Sequence, residues 1–576
     1  MLYETLWTAV FVVSLILARD IAKLLRDVIR PYFSPLRTVP GPRPTSWLRG
    51  NLREIIKADP SEMHDEWEQE YGPVLKYKVM MGQDRLSITD VRALGHILAH
   101  SMDYEKPRTV RQSLTDILGA GLLVVEGEVH KQQRRVMSPA FGTPQIRALM
   151  ETFFDKSIQM KDIWLRKLRS GEFEMKSGAA QTGKIEVAIW LSRVTIDIIG
   201  LAGFGYDFEA LDEQNKSGGE LNHTFRVLLQ TLRPGFVDTI QGFLPITRIF
   251  PSARLREVRA ARKTLDRVGK RLLEERKAAI RASTAVGSDG KIDRKLFQDK
   301  DILTLLVRAN MASDLPENAR MTDDEVLAQI PTFLLAGHET TSTAVTWILY
   351  ALSLNPSVQD KLRAELLACS EGDRPSMETL NGLPYLDAVV RETMRLYSPV
   401  SNAIRVATKA DVIPTEQEWV DVHGVRRSGI PHVSQPMRHP HVLTCLLLSI
   451  SKGDSIFIPI LTINRSKTIW GEDAREYRPE RWLSDLSPAF TTVPGVWGNM
   501  LSFLGGNRAC IGWRFSLFEM KVLVYTLVRA FRFELAVKAE DIQMRQSVVT
   551  RPHLRDKIEA GPQLPVWVTA LVDEAS

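Results

Sequence analysis

Hydrophobic and polar positions divide this chain into an apolar start, a few short alternating stretches and many long helical runs. Residues 5–18 carry no charge, and Ile21, Leu24, Leu25, Val28 and Ile29 extend the apolar stripe between Arg19, Lys23, Arg26 and Arg30. Fourteen uncharged residues fall short of the ~20 that a full membrane span requires. The pattern therefore predicts a tilted or partly interfacial N-terminal anchor over residues 1–30. Its basic flank predicts that everything after Ala18 stays on the cytosolic side. A cleaved signal peptide is the rival reading, but its leading region should be positive, and here only Glu4 precedes the run.

Val39-Pro40-Gly41-Pro42-Arg43-Pro44 follows. Prolines at that density cannot continue a helix and stiffen the chain into an extended link, so residues 31–51 read as a hinge. The alternating segments 73–79 and 85–89 predict strands. Helical periodicity then dominates. Residues 128–135 form one helical stretch, with His130 and Arg134 four apart on one face. Residues 191–208 read as a buried core helix, 254–281 as a very basic helix, 282–289 as a surface loop and 301–311 as a further helix. Thr322 and Glu325 make a capping box that opens a helix reaching about Leu354, roughly 48 Å long. Pro331 inside it should remove one backbone hydrogen bond and kink the axis. From residue 52 to 576 the pattern reads as one domain, mainly α with small β-sheets.

Composition changes little in this picture. The 576 residues are 44% hydrophobic and 25% charged, so a large core is feasible. Net charge is +6, from 75 Lys and Arg against 69 Asp and Glu, which gives no case for nucleic acid. Three cysteines (Cys369, Cys445, Cys510) cannot build a disulfide framework and suit a reducing compartment. There is no C-x-x-C, H-E-x-x-H or phosphate-binding glycine loop, and no internal repeat.

The chemistry concentrates near the C-terminus, in Phe503-Leu-Gly-Gly506-Asn-Arg508-Ala-Cys510-Ile-Gly512. One cysteine stands in a glycine-rich bend before an apolar helical run (513–531). A thiolate there would sit at the positive end of the helix dipole, among N–H groups able to lower its pKa. Gly506 and Gly512 allow close approach of a flat ligand. Phe503 can pack over the sulfur, and Arg508 can pair with a carboxylate. This F-x-x-G-x-R-x-C-x-G pattern resembles the haem-binding loop of the cytochrome P-450 monooxygenases, in which the cysteine thiolate is the axial ligand of haem iron.

Other motifs carry the same resemblance in the family's order, from about residue 40 to 572. Ala336-Gly337-His338-Glu339-Thr340-Thr341 is similar to the family's oxygen-activation motif. The resemblance implies that Thr340 hydrogen-bonds bound dioxygen, that Glu339 helps relay protons, and that Ala336 and Gly337 lie against the cofactor. His130 stands where the family has Trp, and Arg134 where it has Arg; both are implied to reach a haem propionate, as is Arg405. Glu392 and Arg395 resemble the family's E-x-x-R pair, which Arg481 of Pro479-Glu-Arg-Trp482 completes in a structural role. The implied cofactor is haem b (iron protoporphyrin IX). The implied fold is that of the cytochromes P-450, an α+β fold, preceded by a membrane-anchor helix.

The resemblance further implies a monooxygenase that inserts one atom of O2 into a hydrophobic small molecule: terpenoid, steroid or aromatic, in secondary metabolism or xenobiotic oxidation. Electrons would come from NADPH through a separate cytochrome P-450 reductase, docked on a basic face of Lys131, Arg135, Arg514 and Lys521. The implied location is the endoplasmic reticulum membrane, as a single-pass protein with a cytosolic catalytic domain. Segments 104–125, 225–245, 333–340, 400–404 and 547–551 are the implied pocket walls. Two other functions remain open: a haem-thiolate isomerase or dehydratase, and a catalytically silent haem-binding membrane protein. Residues 430–449 depart from the expected short turn and read as an atypical insertion, disordered or docked on a surface. A retained intron is an alternative, and a metal site at His432, His439 and His441 lacks a supporting acid or spaced cysteine pattern.

Overall fold

The computed structural model describes residues 2–179, 181–213, 224, 241, 247, 249–285, 301–311, 320–427, 448–484 and 488–571. Helices dominate and the sheets are small, an α+β architecture. Two compact units divide what the sequence pattern presents as one catalytic domain. The first comprises Met1–Ile117, Phe225–Arg262 and Asn402–Thr462; the second comprises Leu118–Thr224, Lys263–Ser401 and Ile463–Ser576.

In the first unit the expected strands form at Val74–Lys78 and Asp84–Ile88. They open a five-stranded mixed sheet continued by Ser455–Ile458, Ala403–Ala407 and Tyr104–Glu105. Leu75, Tyr77 and Phe457 on one face pack with Trp67 from the helix Glu62–Tyr71. His64 of that helix is buried against the Phe457 ring at 4.4 Å between centroids, and burial lowers its pKa to about 3, so it sits there as a neutral ring. The proline-rich hinge is clipped to the sheet. Lys76 N–H donates to Pro40 O at 2.8 Å, and Asn51 exchanges backbone and side-chain hydrogen bonds with Lys78 at 2.8 and 3.1 Å. Gly50, at φ +56°, approaches so closely that a Cβ would stand 2.1 Å from Lys78 O; no side chain fits there.

The N-terminal helix runs unbroken from Leu2 to Ile29, with Trp7, Phe11, Leu15 and Leu25 exposed. Arg30, just past it, pairs with Asp454 at 2.6 Å. Leu448–Ile450 pairs antiparallel with Asp411–Ile413, and Leu448 is buried. The stretch read as an insertion thus ends inside a sheet: Leu448 and Ser449 belong to the fold, because their backbone is laddered and one side chain is in the core. Its remainder up to Thr444-Cys445-Leu446-Leu447, with His432, His439 and His441, lies outside the described residues, as does most of 225–245.

The second unit is built on helices Thr143–Ser170, Val187–Phe204, Asp323–Leu354 and Trp513–Ala530. Among the described residues, Val187–Phe204 is the one helix long and apolar enough to cross a membrane. Since 72% of it is buried inside the chain, it is a core helix, as its all-round apolar pattern predicts. It packs most extensively on the long helix Asp323–Leu354. That helix begins at a complete capping box, Thr322 Oγ1 accepting from Glu325 N–H and Glu325 from Thr322 N–H. It continues through Pro331 without a break. The neighbouring Thr332 hydroxyl donates back to Ala328 O at 2.8 Å.

Candidate haem site

The cysteine loop is held by its own backbone. Gly506 takes φ +63°, Ala509 N–H donates to Gly506 O at 3.1 Å, and Cys510 N–H donates to Phe503 O at 2.9 Å. Phe503 is buried with its ring 5.6 Å from Trp497. Gly512 lies just ahead of the helix Trp513–Ala530 and faces Phe141; a Cβ there would meet the ring at an ordinary 3.6 Å. Cys510 has no disulfide partner. It lies deep within the unit, yet its surface is exposed, so it borders open space.

Burial pushes the Cys510 thiol up, and the Gly512 N–H and the Arg134 charge oppose that shift without overcoming it. In an apolar setting the cost of desolvating a thiolate outweighs one N–H and one cation.

Arg134 stands on the helix Gly127–Met137 and donates from Nη1 to Ala509 O at 2.7 Å, directly beside the cysteine. Its charge is felt at Cys510, and burial lowers its own pKa. His130 lies one turn earlier on the same helix, buried. Gln133 between them is fully buried and was not singled out from sequence. It donates to Ala120 O and Glu325 at 3.2 Å each, and it accepts from Gln329 at 3.1 Å, tying this short helix to the long one. Arg508 does find a carboxylate, that of Glu126, and also donates to Val125 O at 3.1 Å. Its partner belongs to this chain, a buried acid that nothing in the sequence pattern marked.

Along the long helix every residue from Val326 to Leu349 is buried except Ala336, Gly337 and Thr340. These three, each half-buried, stand at i, i+1 and i+4, so they share one spot of the helix surface. The Thr340 hydroxyl donates to Ala336 O at 2.6 Å, which leaves its lone pairs free to accept. Gly337 serves a second purpose: a Cβ there would stand 2.9 Å from Ile199, so its smallness admits the neighbouring core helix as well. Thr341 Oγ1 lies 3.3 Å from Ser516 Oγ in the first turn of the helix that follows Cys510.

Glu339 is buried and forms an ion pair with Arg551 of the hairpin strand Thr550–Leu554. His338 is also buried. Its Nε2 shares a hydrogen bond with Ser192 Oγ at 2.7 Å, and its Nδ1 lies 3.6 Å from Glu339. Burial first, and the Arg551 charge second, lower the His338 pKa to about 3. Glu519 is a further acid missed from sequence. It is buried on the helix after Cys510, and burial raises its pKa well above the usual carboxylate range.

Glu392 lies between two arginines in a dry setting. Arg395 donates to both its oxygens at 2.9 and 2.7 Å, Arg481 lies at 3.4 Å, and Trp482 Nε1 donates at 3.0 Å. Arg395 also donates to Asn464 O and Ala474 O, so it stitches the segment leading to the cysteine loop. Arg405 belongs to the first unit, buried in the strand Ala403–Ala407.

The basic docking face is narrower than its sequence suggests. Lys131, Arg135 and Arg514 are exposed. Lys521 is not; it is buried against Asp387 at 2.8 Å and Asn381 at 3.2 Å. Its charge is engaged by Asp387 and is not offered to a partner.

A free thiol bordering open space, a cation beside it and a small-residue opening with a hydroxyl in the same unit fit haem as a ligand. Comparison with known proteins agrees. Residues 40–416 and 432–559 match the family model described as Cytochrome P-450. The two matched ranges are separated by residues 417–431. Cytochrome P-450 monooxygenase 205 of Postia placenta is 46% identical, over 96% of each chain. Monooxygenase 128 of the same fungus is 45% identical over 95% of each, and claQ of Ampulloclitocybe clavipes 33% over 93% of each.

Proposed function

The chain belongs to the cytochrome P-450 family of oxygen-incorporating, haem b-binding oxidoreductases, and from that premise we propose that it oxidises a hydrophobic small molecule at a cytosolic face of the endoplasmic reticulum membrane. Terpenoid, steroid or aromatic substrates suit it, in secondary metabolism or xenobiotic oxidation. One atom of O2 enters the substrate and the other leaves as water, with two electrons drawn from NADPH through a separate cytochrome P-450 reductase.

The observation that carries this reading is the half-burial of Ala336, Gly337 and Thr340 on an otherwise buried stretch, in the same unit as Cys510, whose side chain is exposed. Bound haem supplies the activation of dioxygen; the protein supplies the thiolate, the shape and the protons. Cys510 would hold the haem as its thiolate, and the Arg134 charge beside it favours that anion. Arg134 and His130 would offer donors to haem propionates. Ala336 and Gly337 keep the helix surface low. Thr340, its own proton engaged by Ala336 O, presents lone pairs that can receive and orient a donor such as water. Glu339 holds a carboxylate near that point under the control of Arg551.

The exposed apolar side chains of the N-terminal helix support the membrane reading, since burying them in lipid offsets their exposure. Exposed Lys131, Arg135 and Arg514 support docking of an acidic reductase. The test supplies purified reductase, NADPH and a panel of apolar compounds under isotopically labelled O2. Label in product at one atom per turnover, dependent on NADPH, is expected. Turnover of a compound without label or NADPH would replace this reading by an isomerase or dehydratase.

A further inference from the structure

A cavity of about 570 Å³ lies beside the N-terminal helix, within the first unit. Its walls include Arg19, Asp20, Lys23 and Arg26 of that helix and Arg108 and Gln112 of the helix Arg108–Leu118. Arg19, Lys23 and Arg26 stand four and three residues apart, so helical periodicity sets their stems on one side. Arg108 adds a fourth cation from the opposite wall. All four are exposed.

Asp20 differs from its neighbours. It is 3% exposed; its Oδ1 accepts from Arg19 at 3.0 and 3.3 Å, and its Oδ2 is buried with no hydrogen-bond partner among the described residues. A buried carboxylate oxygen left unsatisfied is costly, and a donor arriving from outside the chain would relieve it. A simple anion would find Asp20 repelling it. A simple cation would meet four positive heads. A phosphate joined by a short linker to a primary ammonium satisfies both halves.

The place of the cavity names the source. It begins at Arg19, directly after the uncharged residues 5–18. With that run in hydrocarbon, the lining residues stand at headgroup depth. We infer that this cavity binds the headgroup of an aminophospholipid of the phosphatidylethanolamine type, its phosphate on Arg19, Lys23, Arg26 and Arg108 and its ammonium on Asp20. The inference rests on the membrane-anchor reading above. Choline lipids, whose quaternary nitrogen has no N–H, cannot donate to Asp20 Oδ2 and are discriminated against.

The test uses the full-length, haem-loaded protein in detergent, titrated calorimetrically with short-chain phosphatidylethanolamine, phosphatidylcholine and phosphatidic acid, and with free phosphoethanolamine. Phosphatidylethanolamine should bind about tenfold or more tightly than phosphatidylcholine, the worth of one hydrogen bond to a charged group. Asp20→Asn should erase that preference. Lys23→Glu, an exposed change that the fold tolerates, should weaken every phosphate-bearing lipid. Equal affinity for the ethanolamine and choline lipids overturns the proposal. Phosphatidic acid binding as well as phosphatidylethanolamine would make this a plain anion site and also overturn it. Free phosphoethanolamine binding as tightly as the lipid would assign the cavity to a soluble metabolite instead. None of these titrations needs anchoring, which flotation of the protein with vesicles measures separately, so the two readings fail independently.

Discussion

Arg551 of the strand Thr550–Leu554 forms an ion pair with Glu339 of the long helix, the acid of its A-G-H-E-T-T motif. Glu339 itself is buried, and removing the arginine would leave that carboxylate without its counter-charge. A buried pair broken from one side costs about 3–5 kcal/mol, while removing both charges costs much less. Arg551→Gln should therefore lower the unfolding midpoint of the haem-loaded protein more than Arg551→Gln with Glu339→Gln. Additive losses across that double-mutant cycle would mean that the two groups do not depend on each other.

Glu392 and its arginines make a stronger claim of the same kind. With Glu392 and Arg395 both fully buried, Glu392→Ala strands two guanidiniums in a dry site. The expected result is loss of folded, haem-loaded protein on expression, with no rescue by added haem. Normal haem content in Glu392→Ala would show that the network is dispensable.

His338 yields a pH prediction. Its folded-state pKa is about 3, below an unfolded value near 6.5. The unfolded chain therefore takes up a proton that the folded chain refuses. Stability from this group is fully present above about pH 6.5 and is lost as pH falls toward 3. His338→Gln should flatten the fall in unfolding midpoint across that window, which a thermal scan against pH reads directly. An unchanged slope would place the acid sensitivity elsewhere, with His64, lowered to about 3 by burial, the next group to replace.

Charge reversal separates the docking face from the core. Lys131→Glu with Arg135→Glu changes only exposed groups, so it should raise the reductase concentration for half-maximal rate and leave peroxide-driven turnover unchanged. Lys521→Glu puts a second acid against Asp387 in a buried site and should reduce folding yield instead. Equal losses of reductase-driven and peroxide-driven turnover in the Lys131/Arg135 variant would move the defect to the haem site.

The sequence made much of this arrangement legible because the motifs are local. The capping box at Thr322, the helix entered after Gly512 and the Glu392–Arg395 spacing each depend on neighbours within four residues, which periodicity reads well. What escaped depends on chain crossings. Glu126 under Arg508, Arg551 on Glu339 and the Gln133–Gln329 bridge join residues 382, 212 and 196 positions apart. No local pattern announces such partners. Lys521 differs from expectation for a related reason: a lysine on an apolar helix looks exposed until its partner Asp387, on another helix, is known.

The most direct measurement compares carbon-monoxide difference spectra of the reduced wild-type protein and of Cys510→Ala, each with haem content measured independently. Wild-type protein should give the thiolate-type Soret band. Cys510→Ala should lose that band, because a methyl group cannot donate charge to iron, and whatever haem it retains should show a different axial ligation. A thiolate-type band surviving in Cys510→Ala would contradict the assignment of Cys510, and with it the haem-thiolate reading of the whole site.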